Sequence, residues 1–146
     1  MDAWRLCRRP HANLSGEGAR IFGGRWNSPG RPMVYLADHP ALAALEVRVH
    51  LDVPFDLLPD DFVLMRVSLP DDLVTDLNFH GPEMSMGDLW LKEEPSAAVR
   101  VRSVLIQPAW NILLNPLHPA AARTEVADVN EFRFDPRLWR PLGGPG

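Results

Sequence analysis

A short glycine-rich stretch at residues 22–30, FGGRWNSPG, places a guanidinium, an indole and an amide on a flexible backbone. Gly23 and Gly24 precede Arg25, and a backbone without Cβ atoms lets a ligand approach closely. The planar guanidinium can bind a phosphate or a carboxylate through two parallel hydrogen bonds. The stretch is therefore a candidate anion site, although a hairpin in which Arg25 pairs with a surface carboxylate would use the same residues.

An unusual carboxylate follows further along the chain. Glu46 comes four residues after Leu42, so it lies on the apolar stripe of the helix predicted below. An unpaired carboxylate in such a place is costly, which makes Glu46 a candidate functional group. The alternative is a structural ion pair, with Arg5 or Arg66 as the partner.

Tyr35 and Ser103 are weaker candidates when each is taken alone. Tyr35, in a predicted strand, could offer its ring face or its hydroxyl to a ligand, or it could simply be half-buried. Ser103 also falls in a predicted strand, where a serine is ordinary. The sequence has no triphosphate-binding loop and no nucleophile elbow. Its five histidines and one cysteine lack the spacing of metal ligands, so no metal is predicted.

Length and composition narrow the class of protein further. A chain of 146 residues predicts one domain over 1–146, with a loose tail at 143–146. A net charge of −4 argues against direct binding to nucleic acid. The single cysteine fits a reducing compartment, and we find neither a membrane span nor the apolar core of a signal peptide. We therefore expect a cytoplasmic protein.

The elements that must position these side chains are short, because Pro and Gly recur throughout the chain. The clearest helix is predicted at 37–51, with Pro40 in its first turn, Asp38 or His39 as its cap, and a stripe of Leu42, Leu45 and Val49. We predict strands at Ala3–Cys7, around residues 22–26, at Met33–Leu36, Phe62–Leu69, Val99–Ile106, 125–129 and 132–134. We predict a short helix at 87–93, a loop at 11–20 and a turn at 111–119. The sum is an α+β fold of mainly antiparallel small sheets with a few short helices.

The order of these residues resembles the RES-domain toxins, a family named for an Arg, a Glu and a Ser. The run at 16–46, GEGARIFGGRWNSPGRPMVYLADHPALAALE, is similar to the N-terminal half of that family's pattern. The runs at 99–119, VRVRSVLIQPAWNILLNPLHP, and at 131–139, EFRFDPRLW, are similar to its second half. Arg102 is a departure, because the family more often has Pro before the Ser.

The resemblance implies a fold like that of the ADP-ribosyltransferases and NAD+ as the substrate. It implies a toxin of a type II toxin–antitoxin pair that breaks the nicotinamide–ribose bond and transfers ADP-ribose to a target protein, water or phosphate. The partner would be a helical DNA-binding antitoxin that covers the active site. The alternatives are an inactive NAD-binding or partner-binding module of the same fold, and a domain in which Glu46 is a structural ion pair.

The resemblance implies that Arg25, Glu46 and Ser103 are the three naming residues, accompanied by Tyr35, and we hypothesise a role for each from the chemistry of NAD+ cleavage. Arg25 would hold a phosphate of NAD+, Tyr35 would stack on nicotinamide, and Glu46 would lie near the ribose. Ser103 would hydrogen-bond Glu46 or the ribose. The further residues expected to bind the dinucleotide or to position its loops are Arg5, Gly24, Asn27 and Asn115.

Overall fold

The computed structural model describes residues 1–77 and 81–140. Over these residues the chain forms one seven-stranded sheet and three α-helices. The strands are β1 (Asp2–Arg8), β2 (Val34–Ala37), β3 (Phe62–Ser68), β4 (Val74–Asp76), β5 (Ala98–Arg102), β6 (Trp110–Leu114) and β7 (Glu125–Glu131). The helices are α1 (Glu17–Phe22), α2 (Pro40–His50) and α3 (Glu83–Glu93). The predicted α+β class is confirmed, and the predicted tail at 143–146 lies outside the described residues.

The strands follow the order β4-β5-β6-β2-β1-β3-β7. Every neighbouring pair is antiparallel except β4 and β5, so the described strands form one mixed sheet where several small sheets were expected. The β1 strand pairs with β3 along its whole length but meets β2 only at Trp4 and Ala37. The sheet therefore opens between β1 and β2, in the middle of its strand order.

The two faces of the sheet bury different clusters, as the alternation of apolar residues predicts. Val34 and Leu36 pack in the core of one face, while Met33 and Tyr35 pack with Trp90 of α3 on the other. The alternating residues of β3, which are Val63, Met65 and Val67, are completely buried. This confirms the predicted facing of β2 and β3.

The α2 helix begins where the sequence predicts. His39 accepts a hydrogen bond from the Ala41 backbone N–H at 3.1 Å, and Pro40 occupies the first turn. The predicted stripe is partly wrong, because Leu42 is buried while Val49 is 51% exposed. The buried face of α2 is thus rotated toward Ala43, which leaves Val49 at the surface.

Three secondary-structure predictions were wrong, namely the loop at 11–20, the strand around residues 22–26 and the turn at 111–119. The loop predicted at 11–20 contains the start of α1, and residues 22–26 turn instead of extending, with backbone pairing between Gly24 and Asn27. The turn predicted at 111–119 begins with β6, whose Ile112 and Leu113 are fully buried in the middle of the sheet. Polar Asn and Pro residues suggested a turn there, but the apolar residues between them form a strand buried on both faces.

Other element boundaries also moved. The β5 strand ends at Arg102, which pairs with Trp110, so Ser103 begins a turn instead of lying in a strand. The α3 helix starts at Glu83, four residues earlier than predicted. No strand forms at 132–134, where Phe134 packs edge-on against Phe62 with ring centroids 5.5 Å apart.

Candidate active site

A cleft of about 610 Å³ lies where the sheet opens between β1 and β2. Its walls come from both of these strands, the glycine-rich stretch, α2, the end of β5 and the start of β6. The polar and charged residues that line it are Arg5, Arg25, Tyr35, Glu46, His50, Arg102 and Asn111. A volume of this size falls within the range of roughly 300–1,000 Å³ that is typical of small-molecule and cofactor sites.

Residues 23–30, called the Arg25 loop below, are fixed by the side chains of Tyr35 and Asn27. The Tyr35 hydroxyl accepts a hydrogen bond from the Trp26 backbone N–H at 3.0 Å and donates one to Asn27 Oδ1 at 2.5 Å. Asn27 Nδ2 in turn donates to the Ala19 carbonyl at 2.9 Å. Asn27 is completely buried, so it holds the loop in place and does not line the cleft.

The position of the Tyr35 hydroxyl leaves no room for a side chain at residue 24. A Cβ atom at this position would lie 2.6 Å from Tyr35 Oη, much closer than real Cβ atoms approach. The sequence suggested that the glycines leave room for a ligand. In the folded chain, Gly24 makes room for the hydroxyl that anchors the Arg25 loop, and its backbone also lines the cleft.

The α3 helix braces the same loop from outside. The Asp88 carboxylate accepts hydrogen bonds from the Ser28 backbone N–H at 2.8 Å and from Ser28 Oγ at 2.6 Å. A Cβ atom on Gly87 would lie 1.7 Å from the Trp26 carbonyl oxygen, so the helix touches the loop backbone here. Sequence reasoning missed Gly87 and Asp88, because nothing in their spacing connects them with a loop 60 residues away.

Arg25 lines the cleft and also carries the ion pair that was considered as an alternative from the sequence. Its Nη1 lies 3.2 Å from Glu83 Oε2, and half of its side chain is exposed. An exposed pair of this kind contributes little to stability. The guanidinium is therefore at the cleft and can exchange Glu83 for an anionic ligand at small cost.

Glu46 has a neutral partner. Its Oε1 accepts a hydrogen bond from Asn111 Nδ2 at 2.8 Å, and the same nitrogen lies 3.2 Å from the Leu36 carbonyl oxygen. Burial raises the pKa of the Glu46 carboxyl, while the Asn111 hydrogen bond and the charges of His50 and Arg25 oppose that rise. The half-buried carboxylate is thus held in place by a neutral amide, and it forms no ion pair with the residues that the structure describes.

The ion pair considered for Glu46 from the sequence does not form. Arg5 Nη1 donates to the carbonyls of His11 and Asn13 at 2.6 and 3.2 Å. Arg66 pairs with Asp128 on the outer strand β7. Both arginines are committed elsewhere, so no ion pair among the described residues explains the burial of the Glu46 carboxylate.

Ser103 has a different contact from the one expected. It is 1% exposed, and its Oγ accepts hydrogen bonds from the backbone N–H groups of Leu105 and Ile106 at 3.2 and 3.1 Å. Among the described residues it forms no hydrogen bond with Glu46, because Asn111 takes that place. Ser103 shapes the turn after β5, whose Leu105 lines the cleft.

Of the two remaining residues expected to bind the dinucleotide or position its loops, Arg5 lines the cleft and Asn115 does not. Asn115 is 2% exposed in the turn after β6, where its Oδ1 accepts a hydrogen bond from the Leu117 N–H at 3.1 Å, and it is not one of the residues that line the cleft. Arg5 does line the cleft.

Asn111 is the functional candidate that sequence reasoning missed. The sequence predicted a turn at 111–119, and Asn111 is the first residue of that range. As a residue of a predicted turn, it was not considered as a partner of Glu46. Recognition of β6 would have revealed it, because β2 and β6 pair Ala37 with Asn111 beside the helix that carries Glu46.

Two features are absent from the described residues, namely a cluster of metal ligands and a membrane-spanning helix. No group of three or more His, Cys, Asp or Glu side chains at 1–77 and 81–140 could hold a metal ion. In the same part of the chain, no helix is long and apolar enough to cross a membrane.

The structure thus combines a small α+β fold, whose sheet is opened, with a cleft of cofactor size that is lined by apolar residues and a few polar ones. The family model for the RES domain matches residues 2–136. This chain therefore belongs to the RES domain family, as the sequence resemblance predicted.

Two relatives and one solved structure are similar to it. The Prs ADP-ribosylating toxin of Sphingobium sp. (strain YBL2) is 34% identical over 143 residues, which cover 88% of each chain. The NAD(+) phosphorylase MbcT of Mycobacterium tuberculosis (strain ATCC 25618 / H37Rv) is 60% identical over 35 residues, which are 23% of this chain and 19% of that protein. The crystal structure of the M. tuberculosis MbcT–MbcA toxin–antitoxin complex matches with a TM-score of 0.62 and 21% identity, over 94% of this chain and 85% of that one. At that identity the structural match supports the fold alone.

Proposed function

We propose that this protein is the toxin of a toxin–antitoxin pair and that it consumes NAD+ by breaking the bond between nicotinamide and ribose. The observation that carries the proposal is the half-buried Glu46 carboxylate, which Asn111 holds at 2.8 Å in a cleft that Arg25 and Tyr35 also line. The name of the Sphingobium relative, an ADP-ribosylating toxin, supports the reaction type.

Glu46 stabilises the positive charge that develops on the ribose. The bond from C1′ to the nicotinamide nitrogen breaks, its electron pair leaves with neutral nicotinamide, and the ribose becomes oxocarbenium-like, as in glycoside cleavage. An ionised carboxylate beside C1′ is worth more in a partly dry cleft than in water. When the acceptor is water or a hydroxyl, its oxygen bonds to C1′ and Glu46 can take the proton.

Arg25 binds a phosphate of the dinucleotide. Its guanidinium gives up Glu83 and forms charge-assisted hydrogen bonds to phosphoryl oxygens. This fixes the distance between the phosphate end and the ribose, so that C1′ is presented to Glu46 and to the acceptor.

Tyr35 contacts the substrate with its ring, while its hydroxyl forms hydrogen bonds within the protein. Burial raises its pKa to about 12, so the phenol stays protonated at neutral pH. Its hydroxyl is committed to the Trp26 N–H and to Asn27, which leaves the ring face for stacking against nicotinamide. Tyr35 thereby connects the Arg25 loop to the reacting end of the substrate.

The acceptor of ADP-ribose is a target protein, phosphate or water. The names of two relatives point in different directions, since one is an ADP-ribosylating toxin and the other an NAD(+) phosphorylase. We propose a cytoplasmic site of action, where NAD+ is available to either reaction.

The proposed partner is a helical DNA-binding antitoxin that covers the cleft. The similar fold in the MbcT–MbcA complex is that of a toxin bound to its antitoxin. Exposed apolar side chains surround the cleft of this chain, with Val49 at 51% and Val104 at 45% exposure on its walls and Phe22 at 82% beside Gly23. Such a rim would be covered by apolar residues of the partner.

Product analysis tests the proposal. The purified protein is incubated with NAD+ alone, with phosphate, and with cell extract, and the products are separated by mass. We expect nicotinamide in at least one condition, with ADP-ribose on water, phosphate or one protein. An inactive binding module would bind NAD+ and leave it intact in all three, and that result would contradict the proposal.

A further inference from the structure

Two arginines of β5, Arg100 and Arg102, stack on one tryptophan of β6, Trp110. The Cζ atoms of Arg100 and Arg102 lie 4.1 and 3.8 Å from the centroid of the Trp110 ring. Alternate residues of a strand share a face, and Trp110 pairs directly with Arg102. Both guanidinium planes are therefore held by the same indole, which restricts their rotamers before any ligand binds.

The two arginines differ in their charge partners. Arg100 Nε lies 2.6 Å from Asp76 Oδ1, so its charge is neutralised. Among the described residues, Arg102 has no carboxylate within 4.0 Å, and its Nη1 makes one long contact of 3.5 Å with the Pro108 carbonyl. Arg102 lines the cleft, whereas Arg100 is not one of the lining residues.

The other arginines of the cleft are more heavily engaged. Arg25 is paired with Glu83, and Arg5 donates to two backbone carbonyls at 2.6 and 3.2 Å. Arg102 has neither a salt bridge nor a short hydrogen bond within the described part of the chain, although its charge, together with that of Arg100, lowers the pKa of the Asp76 carboxyl. A guanidinium with these contacts, already stacked on an indole and carried by a residue that lines the cleft, is suited to bidentate recognition of an oxyanion.

We propose that Arg102 binds a phosphate oxyanion in the cleft. Two sources would present the same chemistry, namely a phosphate group of NAD+ itself and inorganic phosphate acting as the acceptor of ADP-ribose. The inference rests on the proposed function for the identity of these ligands. Its structural basis, the stacking of Arg102 on Trp110 without a salt bridge among the described residues, is independent of turnover.

The test compares Arg102→Gln with Arg100→Gln, a matched control that removes the other guanidinium stacked on the same ring. Titration calorimetry measures ADP-ribose and inorganic phosphate binding separately, at low salt, with each folded variant checked by its unfolding temperature. We expect Arg102→Gln to weaken one of the two ligands by about 10- to 100-fold, as the loss of charged hydrogen bonds implies. Arg100→Gln should change binding by less than about twofold, because an exposed, neutralised pair contributes little.

The ligand affected identifies the source. Weaker ADP-ribose binding assigns Arg102 to a phosphate of the dinucleotide, and weaker binding of inorganic phosphate alone assigns it to the acceptor. Arg102→Lys keeps the positive charge but loses the planar guanidinium, so we expect a loss of ligand affinity between those of the parent protein and Arg102→Gln. This variant replaces Arg102→Gln in the test if Arg102→Gln is poorly folded. Equal effects of the two glutamine variants, or no effect of Arg102→Gln and Arg102→Lys on either ligand, would overturn the inference. A parent protein that binds these ligands but never releases nicotinamide from NAD+ would instead refute the proposed function.

Discussion

Asn111 Nδ2 and Glu46 Oε1 lie 2.8 Å apart and join β6 to α2 at the floor of the cleft. The partner of the half-buried carboxylate is thus a neutral amide, with the nearest positive charges, His50 and Arg25, acting only at longer range. A salt bridge would have neutralised the carboxylate in the resting protein. An amide fixes its position and leaves its charge available to a cationic transition state.

Asn111→Ala should weaken catalysis and shift its pH dependence. The amide favours the ionised form of Glu46, so its loss raises the pKa of that carboxyl further and moves the acid limb of the rate profile to higher pH. We also expect kcat/KM for NAD+ to fall about 10- to 100-fold at neutral pH, the loss expected for a hydrogen bond to a charged group. Asn130→Ala, on the exposed strand β7, is the control. An unchanged acid limb in Asn111→Ala would show that the amide has no influence on the reacting carboxylate.

Glu46→Gln should stabilise the folded protein at neutral pH while it removes activity. The folded-state pKa of Glu46 lies above its ordinary value of 4.5, so folding favours the protonated form. The parent protein therefore loses stability as pH rises from that ordinary value through the raised pKa, whereas the glutamine variant does not. Thermal unfolding of both proteins across pH 4–8 measures the difference. A gap that stays constant or narrows with rising pH would contradict the burial of an ionisable Glu46.

Gly24→Ala should loosen the Arg25 loop. The new Cβ would lie 2.6 Å from Tyr35 Oη, so the ring must move and the hydrogen bonds from Trp26 and to Asn27 are lost. We expect a loss of about 1–3 kcal/mol in the free energy of unfolding, measured by denaturant titration. In Gly18→Ala the Cβ meets open space within α1, so its stability should be unchanged or slightly higher. Equal stability of the two variants would argue against the role given to Gly24.

Glu83→Gln should strengthen substrate binding. Glu83 holds Arg25 in the absence of ligand and competes with a phosphate for it. The measured strength of exposed ion pairs predicts that KM for NAD+ falls by about 1.5- to 5-fold at low salt. The control is Glu93→Gln at the other end of α3, where the side chain is exposed. A rise in KM would mean that the Glu83 pair positions Arg25 for the substrate instead of competing with it.

The sequence was sufficient for the parts of the fold that depend on local patterns. Strand β3 alternates apolar and polar residues, and α2 has its cap at His39 and Pro40 in the first turn, so both were predicted close to their observed bounds. Strand β6 was misread because Asn111 and the Asn-Pro that follows it are typical of turns. A strand buried on both faces has no alternation to reveal it.

The candidate site was predictable in its residue types and less so in its contacts. Arg25, Tyr35 and Glu46 line one cleft although they come from a loop, a strand and a helix. The partners of Arg25 and Glu46, namely Glu83 and Asn111, lie 58 and 65 residues away in the chain. Asp88, which braces Ser28 in the Arg25 loop, lies 60 residues from that serine. Such contacts depend on how the strands and α3 pack together, which neither periodicity nor spacing can specify. Ser103 was expected to contact Glu46 or the ribose of NAD+. Of these two contacts, the one with Glu46 is absent among the described residues, where Ser103 instead accepts hydrogen bonds from the turn backbone at Leu105 and Ile106.

Release of nicotinamide from NAD+ by the parent protein and by Glu46→Gln tests the central claim most directly. The glutamine keeps the size of the side chain and an oxygen for Asn111, so only the negative charge is removed. We predict that the parent protein releases nicotinamide and that Glu46→Gln, folded by its unfolding temperature, releases it at least about 100-fold more slowly. Release at the parental rate by Glu46→Gln, or no release by the parent protein with phosphate and cell extract present, would contradict the account.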